Sequence, residues 1–215
     1  MTVPTTAKPE PRQPSSEVLA LLQRAGISGT AIDATMAIDA VLQTWRRQVQ
    51  KRELGQHALA DLGIELDLAQ FDVLVAIDAP LTEFGDAAGE AMVATVAERL
   101  SIDPSRASRL VSELVAAGYA ARAASQRDAR RTIVELTPLG RSVLEAVRGY
   151  KWLIMGTFLA DWTADEMETF IPLLHRFSQW GTEIGARKGR FASEIESLAE
   201  GLAAARKKTS RPRAG

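Results

Sequence analysis

Serine and arginine residues recur at helical spacing in one short stretch of the chain. They are Ser105, Arg106, Ser108, Arg109 and Ser112. On a helix they share one face, because residues three and four positions apart are neighbours. Small hydroxyl groups let a helix approach base edges closely, and arginine pairs bidentately with guanine in the major groove. The chemistry that this face offers is recognition of double-stranded DNA, and the alternative is a solvated helix face without a ligand.

A second basic cluster follows in the segment 125–131, Ser-Gln-Arg-Asp-Ala-Arg-Arg. Its cations are Arg127, Arg130 and Arg131. A loop arginine suits the narrow, electronegative minor groove of DNA. Asp128 lies two residues before Arg130, so a charge-assisted hydrogen bond between the two side chains would hold that guanidinium in place. For Arg127 and Arg131, contact with phosphate and simple surface charge stay open as alternatives.

Two helices, a tight turn and a hairpin must position these side chains. Asp103-Pro104 predicts the start of the second helix, because an N-cap is followed by proline at the first helical position. Gly118 predicts its end. Short strands are predicted at 120–124 and 132–136, on either side of the basic loop. The fold class is therefore mainly α with a small β-hairpin wing (α+β), a winged helix-turn-helix with further helices on both sides.

Further helices are predicted outside this region from apolar periodicity and capping residues. They lie at 17–25, 32–54 and 91–100, and after the caps Asp67, Thr137 and Thr163. Ser193 with Glu196 forms the pattern of a capping box at the start of an extra amphipathic helix. The proline-rich residues 1–16 are expected to be a disordered tail, and 82–90 a loop.

The composition excludes several other classes of protein. The 215 residues are 46% hydrophobic and 25% charged, which is usual for a soluble globular protein. The absence of cysteine rules out disulfides and thiolate metal sites, and neither His57 nor His175 lies in a metal-ligand motif. No catalytic constellation, and hence no enzyme and no cofactor, is indicated. No apolar run reaches the roughly 18 to 20 residues of a membrane span, so we expect no membrane partner and a cytoplasmic location.

The motifs between Val96 and Gly140 occur in a distinctive order. The most specific are the Asp-x-Arg of Asp128 and Arg130 and the Leu-Thr-x-x-Gly that ends at Gly140. In these motifs the chain resembles the multiple antibiotic resistance regulator (MarR) family, well over 66–147 and more loosely over 32–184. The resemblance implies a homodimer with the second helix, 103–117, in the major groove. It also implies that Arg130 enters the minor groove, oriented by Asp128.

The resemblance also implies a division of the chain and a function. Residues 17–66 and 138–185 would be dimerisation helices around the DNA-binding domain, 67–137, with the tail at 1–16 before them. An extra amphipathic helix and a basic tail, 186–215, would follow as additions to the pattern of that family. The function implied is that of a sequence-specific repressor of neighbouring genes. It would act at a palindromic operator and be released by a small aromatic or phenolic ligand.

Three interpretations stay open at this point. A net charge of −1 supports the alternative that the winged helix binds protein without specific DNA binding. The aromatic residues of the flanking helices are interpreted as dimer core in preference to an effector site. These residues are Trp45, Trp152, Phe158, Trp162, Phe170 and Trp180. The basic tail is either a solvated end or a source of non-specific DNA affinity through counterion release.

Overall fold

The computed structural model describes residues 13–78 and 90–209. Most of the expected disordered tail at 1–16 and of the loop at 82–90 therefore lies outside the described residues, as do Arg211 and Arg213 of the basic tail. The described chain is helical apart from one two-stranded antiparallel sheet, which confirms the predicted fold class. Within these ranges, no helix is both long enough and apolar enough to span a membrane.

The helices and strands follow one another in a simple order. Before the hairpin lie α1 (Ser16–Arg24), α2 (Gly29–Lys51), α3 (Glu53–Asp61), α4 (Leu68–Asp78), α5 (Val93–Leu100) and α6 (Pro104–Ala116). The hairpin and the later helices are β1 (Ala120–Ala124), β2 (Thr132–Leu136), α7 (Pro138–Leu159), α8 (Ala164–Ser178), α9 (Ile184–Gly189) and α10 (Ala192–Thr209). Residues 51–161 form one compact unit. The described residues on either side, 13–50 and 162–209, form a second one.

The core of the 51–161 unit lies between α4, α5, α6, the hairpin and the start of α7. Its largest fully buried side chains are Leu74, Leu114, Val73, Val96 and Val111. The apolar side chains of α6 are buried in this core, which leaves the serine and arginine face of the helix outside. A smaller cluster of Ala58, Leu59 and Val147 joins α3 to α7. This unit contains the residues 67–137 that are expected to form the DNA-binding domain.

Two predicted helix starts near the core are confirmed by their capping bonds. The Asp103 carboxylate accepts a hydrogen bond from the Ser105 backbone N–H at 2.8 Å. The Asp67 carboxylate accepts from the Gln70 N–H at 2.7 Å, and the Gln70 side chain accepts from the Asp67 N–H at 3.0 Å. Each bond satisfies a backbone donor that has no partner within its own helix. These caps fix where α4 and α6 begin.

The predicted cap at Thr163 is confirmed and forms a capping box with Glu166, whereas the capping box predicted at Ser193 and Glu196 is wrong. Glu166 accepts from the Thr163 backbone N–H and hydroxyl, which lowers the pKa of its carboxyl. Ser193 instead lies inside the first turn of α10. Its hydroxyl donates to the adjacent Glu194 at 2.9 Å. The helix starts too early for Ser193 to be a cap.

The single helix predicted at 32–54 is in fact two helices. The break is at Arg52, whose backbone is left-handed, with φ of 53°. Its guanidinium forms two parallel hydrogen bonds with the Asp72 carboxylate of α4, at 2.9 and 2.5 Å. A left-handed residue other than glycine costs about 1 kcal/mol or more, so it persists where such a contact compensates. Helical periodicity does not reveal this break, because Asp72 is distant in sequence.

Replacing Asp72 tests whether this ion pair holds the break. We expect Asp72→Ala to lower the free energy of unfolding by about 1 kcal/mol, a value discounted because both side chains are partly exposed. The matched control is Lys51→Ala, which removes an ion pair whose side chains are 66% and 63% exposed. That variant should leave the stability unchanged within error. Urea denaturation measures both, and equal midpoints for Asp72→Ala and the parent would contradict the prediction.

Candidate DNA-binding surface

The outward face of α6 contains all five of its predicted contact residues. Arg106, Ser108 and Arg109 are exposed, and their side chains form no hydrogen bond with any other residue that the structure describes. Because the opposite face of α6 is buried, these three side chains cannot turn inward. They are the available hydrogen-bond donors of the helix, and bidentate arginine is the donor best suited to guanine.

The hydroxyls of Ser105 and Ser112 are already engaged within the protein. Ser105 donates to the Asp103 carboxylate, and this bond is the main cause of the lowered pKa of Asp103. Ser112 donates to the Ser108 carbonyl oxygen at 2.8 Å and accepts from the Arg122 guanidinium at 3.2 Å. Both hydroxyls therefore keep only acceptor capacity for a ligand. The sequence placed these serines on the exposed face of α6 without revealing that their hydroxyl protons are donated within the protein.

Arg122 is a residue of this surface that the sequence reasoning missed. It lies in the middle of β1, is exposed, and joins the strand to α6 through Ser112. It adds a cation beside the exposed face of α6. The available signal was modest: Arg122 is the one charged residue in the strand Ala-Ala-Arg-Ala-Ala.

The two predicted strands form an antiparallel hairpin, in which Ala120 lies opposite Leu136 and Ala124 opposite Thr132. Its loop is organised around Ser125, which is only 5% exposed. The Ser125 oxygen accepts hydrogen bonds from the backbone N–H groups of Arg127 and Asp128, both at 3.1 Å. The loop therefore has a defined backbone, with its arginine side chains outside.

Asp128 does not hold the guanidinium of Arg130, contrary to the sequence expectation. One carboxylate oxygen accepts from the Arg130 backbone N–H at 3.1 Å, and the other lies 3.4 Å from Nε of Arg131. The reason is turn geometry, because an aspartate in a tight turn meets the backbone N–H two residues later. Asp128 thus steadies the backbone at Arg130 and the side chain of Arg131. Within the described chain, the Arg130 guanidinium has no hydrogen-bond partner.

The Leu-Thr-x-x-Gly motif packs the start of α7 against the end of α6. The Thr137 hydroxyl accepts from the Gly140 N–H at 3.1 Å and donates to the Gly118 carbonyl oxygen at 2.8 Å. At Gly140 the backbone approaches the Tyr119 carbonyl so closely that a Cβ would lie 2.1 Å from its oxygen. The motif therefore holds the first turn of α7 against the end of α6, within the unit that contains α6 and the hairpin.

Six exposed arginines give this surface its positive charge. They are Arg106, Arg109, Arg122, Arg127, Arg130 and Arg131. Of the carboxylates near this surface, those of Asp103 and Asp128 accept hydrogen bonds from backbone N–H groups. Such a surface suits contact with phosphates and base edges. Among the described residues, no cluster of histidine and carboxylate side chains could hold a metal ion.

The aromatic residues interpreted as dimer core are largely exposed on the single chain. In the 13–50 and 162–209 unit, Trp45 is 59% exposed and Trp180 is 52% exposed. On α7 of the other unit, Trp152 and Phe158 are exposed as well. Trp162 packs edge-on against Phe170 with ring centroids 5.1 Å apart. A shallow groove of about 400 Å³ lies beside them, lined by Trp162, Asp165, Glu166, Thr169, Phe170 and Leu173.

The comparisons with known proteins agree with this geometry. A family model described as the MarR family matches residues 64–131. That family consists of transcription regulators, not enzymes. No curated protein sequence matches the chain.

Three solved structures illustrate the similarity. RV1404 from Mycobacterium tuberculosis is 24% identical, with a TM-score of 0.54 over 71% of this chain and 95% of that protein. YusO from Bacillus subtilis is 23% identical, with a TM-score of 0.50 over 71% of this chain and 98% of that one. A MarR point mutant from E. coli is 26% identical, with a TM-score of 0.48 over 63% and 93% of the two chains. The first two share the fold, and this chain extends beyond it.

Proposed function

Because residues 64–131 belong to the MarR family of winged-helix transcription regulators, we propose that this chain is a dimeric repressor of neighbouring genes that binds DNA sequence-specifically in the cytoplasm. The main support for the proposal is the arginine-rich surface that α6 and the hairpin form together. Arg106 and Arg109 face outward from a helix whose other side is buried. Arg122 ties that helix to the strand that leads to the wing.

The two parts of this surface have different tasks in the proposal. Arg106 and Arg109 contact base edges in the major groove, where arginine discriminates guanine. Arg130 enters the adjacent minor groove, while Arg122, Arg127 and Arg131 contact phosphates, which position the protein without reading sequence. Residues 67–137 would supply these contacts.

A second copy of the chain completes the site. Exposed apolar residues such as Trp45, Trp152 and Phe158 support a homodimer, since monomeric proteins rarely leave large apolar patches open to water. The helices at 17–66 and 138–185 would form that dimer. Two recognition helices related by a two-fold axis then meet half-sites about one DNA turn apart, roughly 34 to 36 Å. The operator is therefore an inverted repeat.

A small aromatic or phenolic ligand would relieve the repression. The aromatic pair of Trp162 and Phe170 beside the shallow groove supports this part of the proposal, because aromatic rings stack on an aromatic ligand. Binding there would change the distance between the two DNA-binding units and so weaken binding to both half-sites together.

Footprinting on the gene's own upstream DNA tests the central claim. We expect protection of an inverted repeat at moderate salt, and an affinity that falls steeply as the salt concentration rises, because phosphate contacts release counterions. The double variant Arg106→Ala, Arg109→Ala is expected to lose the footprint while keeping its oligomeric mass. The protein-binding alternative would instead be favoured if no DNA is protected and if the chain binds other proteins with an affinity that polyanion competitors do not change.

A further inference from the structure

The wing is attached to the rest of its unit by Glu90, a residue that the sequence reasoning did not single out. Glu90 lies just before α5, and its carboxylate accepts from the Gln126 backbone N–H at 2.7 Å. Its other oxygen accepts from the Ser125 hydroxyl. The adjacent Ala91 carbonyl accepts from the Val134 N–H at 2.7 Å. Residues 90 and 91 therefore hold both the base of the wing loop and the strand that leaves it.

Ser125 connects Glu90 to the backbone of the wing loop. Its hydroxyl proton goes to Glu90, and its oxygen accepts the N–H groups of Arg127 and Asp128. A hydroxyl has one donor and two acceptor sites, so all three are occupied. Because Ser125 is buried, no water replaces a lost partner without disturbing the loop.

The charge of Glu90 is unexpected on a DNA-facing surface. The Ser125 hydroxyl, followed by the Gln126 N–H and the charge of Arg127, lowers the pKa of the Glu90 carboxyl. Glu90 is therefore an anion throughout the ordinary pH range. An anion close to the DNA backbone repels phosphates, so its charge by itself opposes binding.

We propose that Glu90 is the positioning residue of the wing: through Ser125 and the Gln126 backbone it holds the loop 125–131 at the angle that directs Arg130 toward DNA. This inference rests on the proposed DNA-binding function and adds a residue to it. Glu90 acts through the loop and does not itself contact DNA.

The substitution Glu90→Gln separates this role from simple electrostatics. Glutamine keeps the shape but has one acceptor oxygen, whereas Gln126 and Ser125 each need one. The amide nitrogen would face a Ser125 oxygen whose acceptor sites are occupied. Electrostatics alone predicts tighter DNA binding after the negative charge is removed, and loss of positioning predicts weaker binding. The two explanations thus predict opposite signs.

The matched control is Glu135→Gln, on β2 of the same wing. Glu135 is exposed, and its side chain has no hydrogen-bond partner among the residues that the structure describes. Removing its charge is therefore expected to leave binding unchanged or slightly tighter. Ser125→Ala is a second test variant, because it removes the same contact without changing any charge.

The experiment measures affinity of the full-length variants for a duplex carrying the protected inverted repeat, by fluorescence anisotropy at several salt concentrations. We expect Glu90→Gln and Ser125→Ala to bind roughly tenfold more weakly, and the double variant no more weakly than either single one. The salt dependence should also become shallower as wing phosphate contacts are lost, which a general loss of stability would not produce. Thermal unfolding identifies variants that fail to fold.

Each outcome decides a separate question. Parent protein that prefers no sequence overturns the proposed function. A parent that binds specifically, with Glu90→Gln binding as tightly as Glu135→Gln, overturns only the role of Glu90. Weak binding by Glu90→Gln together with normal binding by Ser125→Ala would also overturn it, because the proposed path runs through Ser125.

Discussion

Gly140→Ala is expected to destabilise the protein more than the same substitution at Gly149 or Gly156 of α7. The new Cβ would lie 2.1 Å from the Tyr119 carbonyl oxygen and 3.2 Å from its carbon. That carbonyl also accepts the Thr137 N–H at 3.1 Å, so moving it breaks a backbone hydrogen bond. We expect a loss of about 3 kcal/mol or more, a large share of the ~5–15 kcal/mol that stabilises an ordinary domain.

Gly149→Ala is the control in the same helix. A Cβ at Gly149 would meet no atom within 4 Å. Alanine in a helix interior is more favourable than glycine by up to about 1 kcal/mol, so this variant should be neutral or slightly stabilised. Urea denaturation followed by circular dichroism measures both variants. Similar midpoints for the two would mean that the Gly140 contact relaxes easily, and the prediction would then be wrong.

Arg130→Ala is expected to weaken operator binding by roughly ten- to a hundredfold. The Arg130 guanidinium has no hydrogen-bond partner within the described residues, so the substitution removes no contact that stabilises the fold. The backbone N–H of Arg130, which donates to Asp128 at 3.1 Å, is retained in alanine. The loss of affinity therefore measures the DNA contact alone. The unfolding midpoint and the oligomeric mass of the variant should match those of the parent.

Arg131→Ala is the matched control for Arg130→Ala. Its guanidinium lies 3.4 Å from the Asp128 carboxylate, which neutralises part of its charge. We expect a smaller loss of affinity that is similar for specific and random duplexes, as for a phosphate contact. Anisotropy titrations with both duplexes measure the two effects. If the Arg130→Ala protein binds DNA as tightly as the parent, the proposed contact of Arg130 with the minor groove is wrong.

Much of the local structure around the surface was predictable because its signals are local. Asp103 satisfies an N–H two residues away, and the strands at 120–124 and 132–136 were predicted to the residue. Caps and turn residues act over two to four positions, so a sequence displays them directly. The capping box predicted at Ser193 was wrong because the same short-range pattern also occurs inside a helix.

Contacts between distant segments were not predictable in this way. The pairing of Arg52 with Asp72 breaks a helix that periodicity extends to Leu54. The attachment of Glu90 to Ser125 joins residues 35 positions apart. Neither partner has a spacing that distinguishes it from other charged or hydroxyl residues, because such contacts depend on how the buried faces pack.

The sequence by itself determined which arginines lie on the exposed face of α6 and in the wing loop. Helical period places Arg106 and Arg109 opposite a buried stripe, and turn chemistry places Arg130 at a loop tip, because both effects act between near neighbours along the chain. Only the tertiary structure decided which of these groups remain available. It assigned the hydroxyl protons of Ser105 and Ser112 to internal bonds, left the Arg130 guanidinium without a partner among the described residues, and fixed the wing through Glu90. Whether a hydrogen-bonding group is available depends on which groups lie within about 3 Å of it in space. The order of residues along the chain does not give those distances.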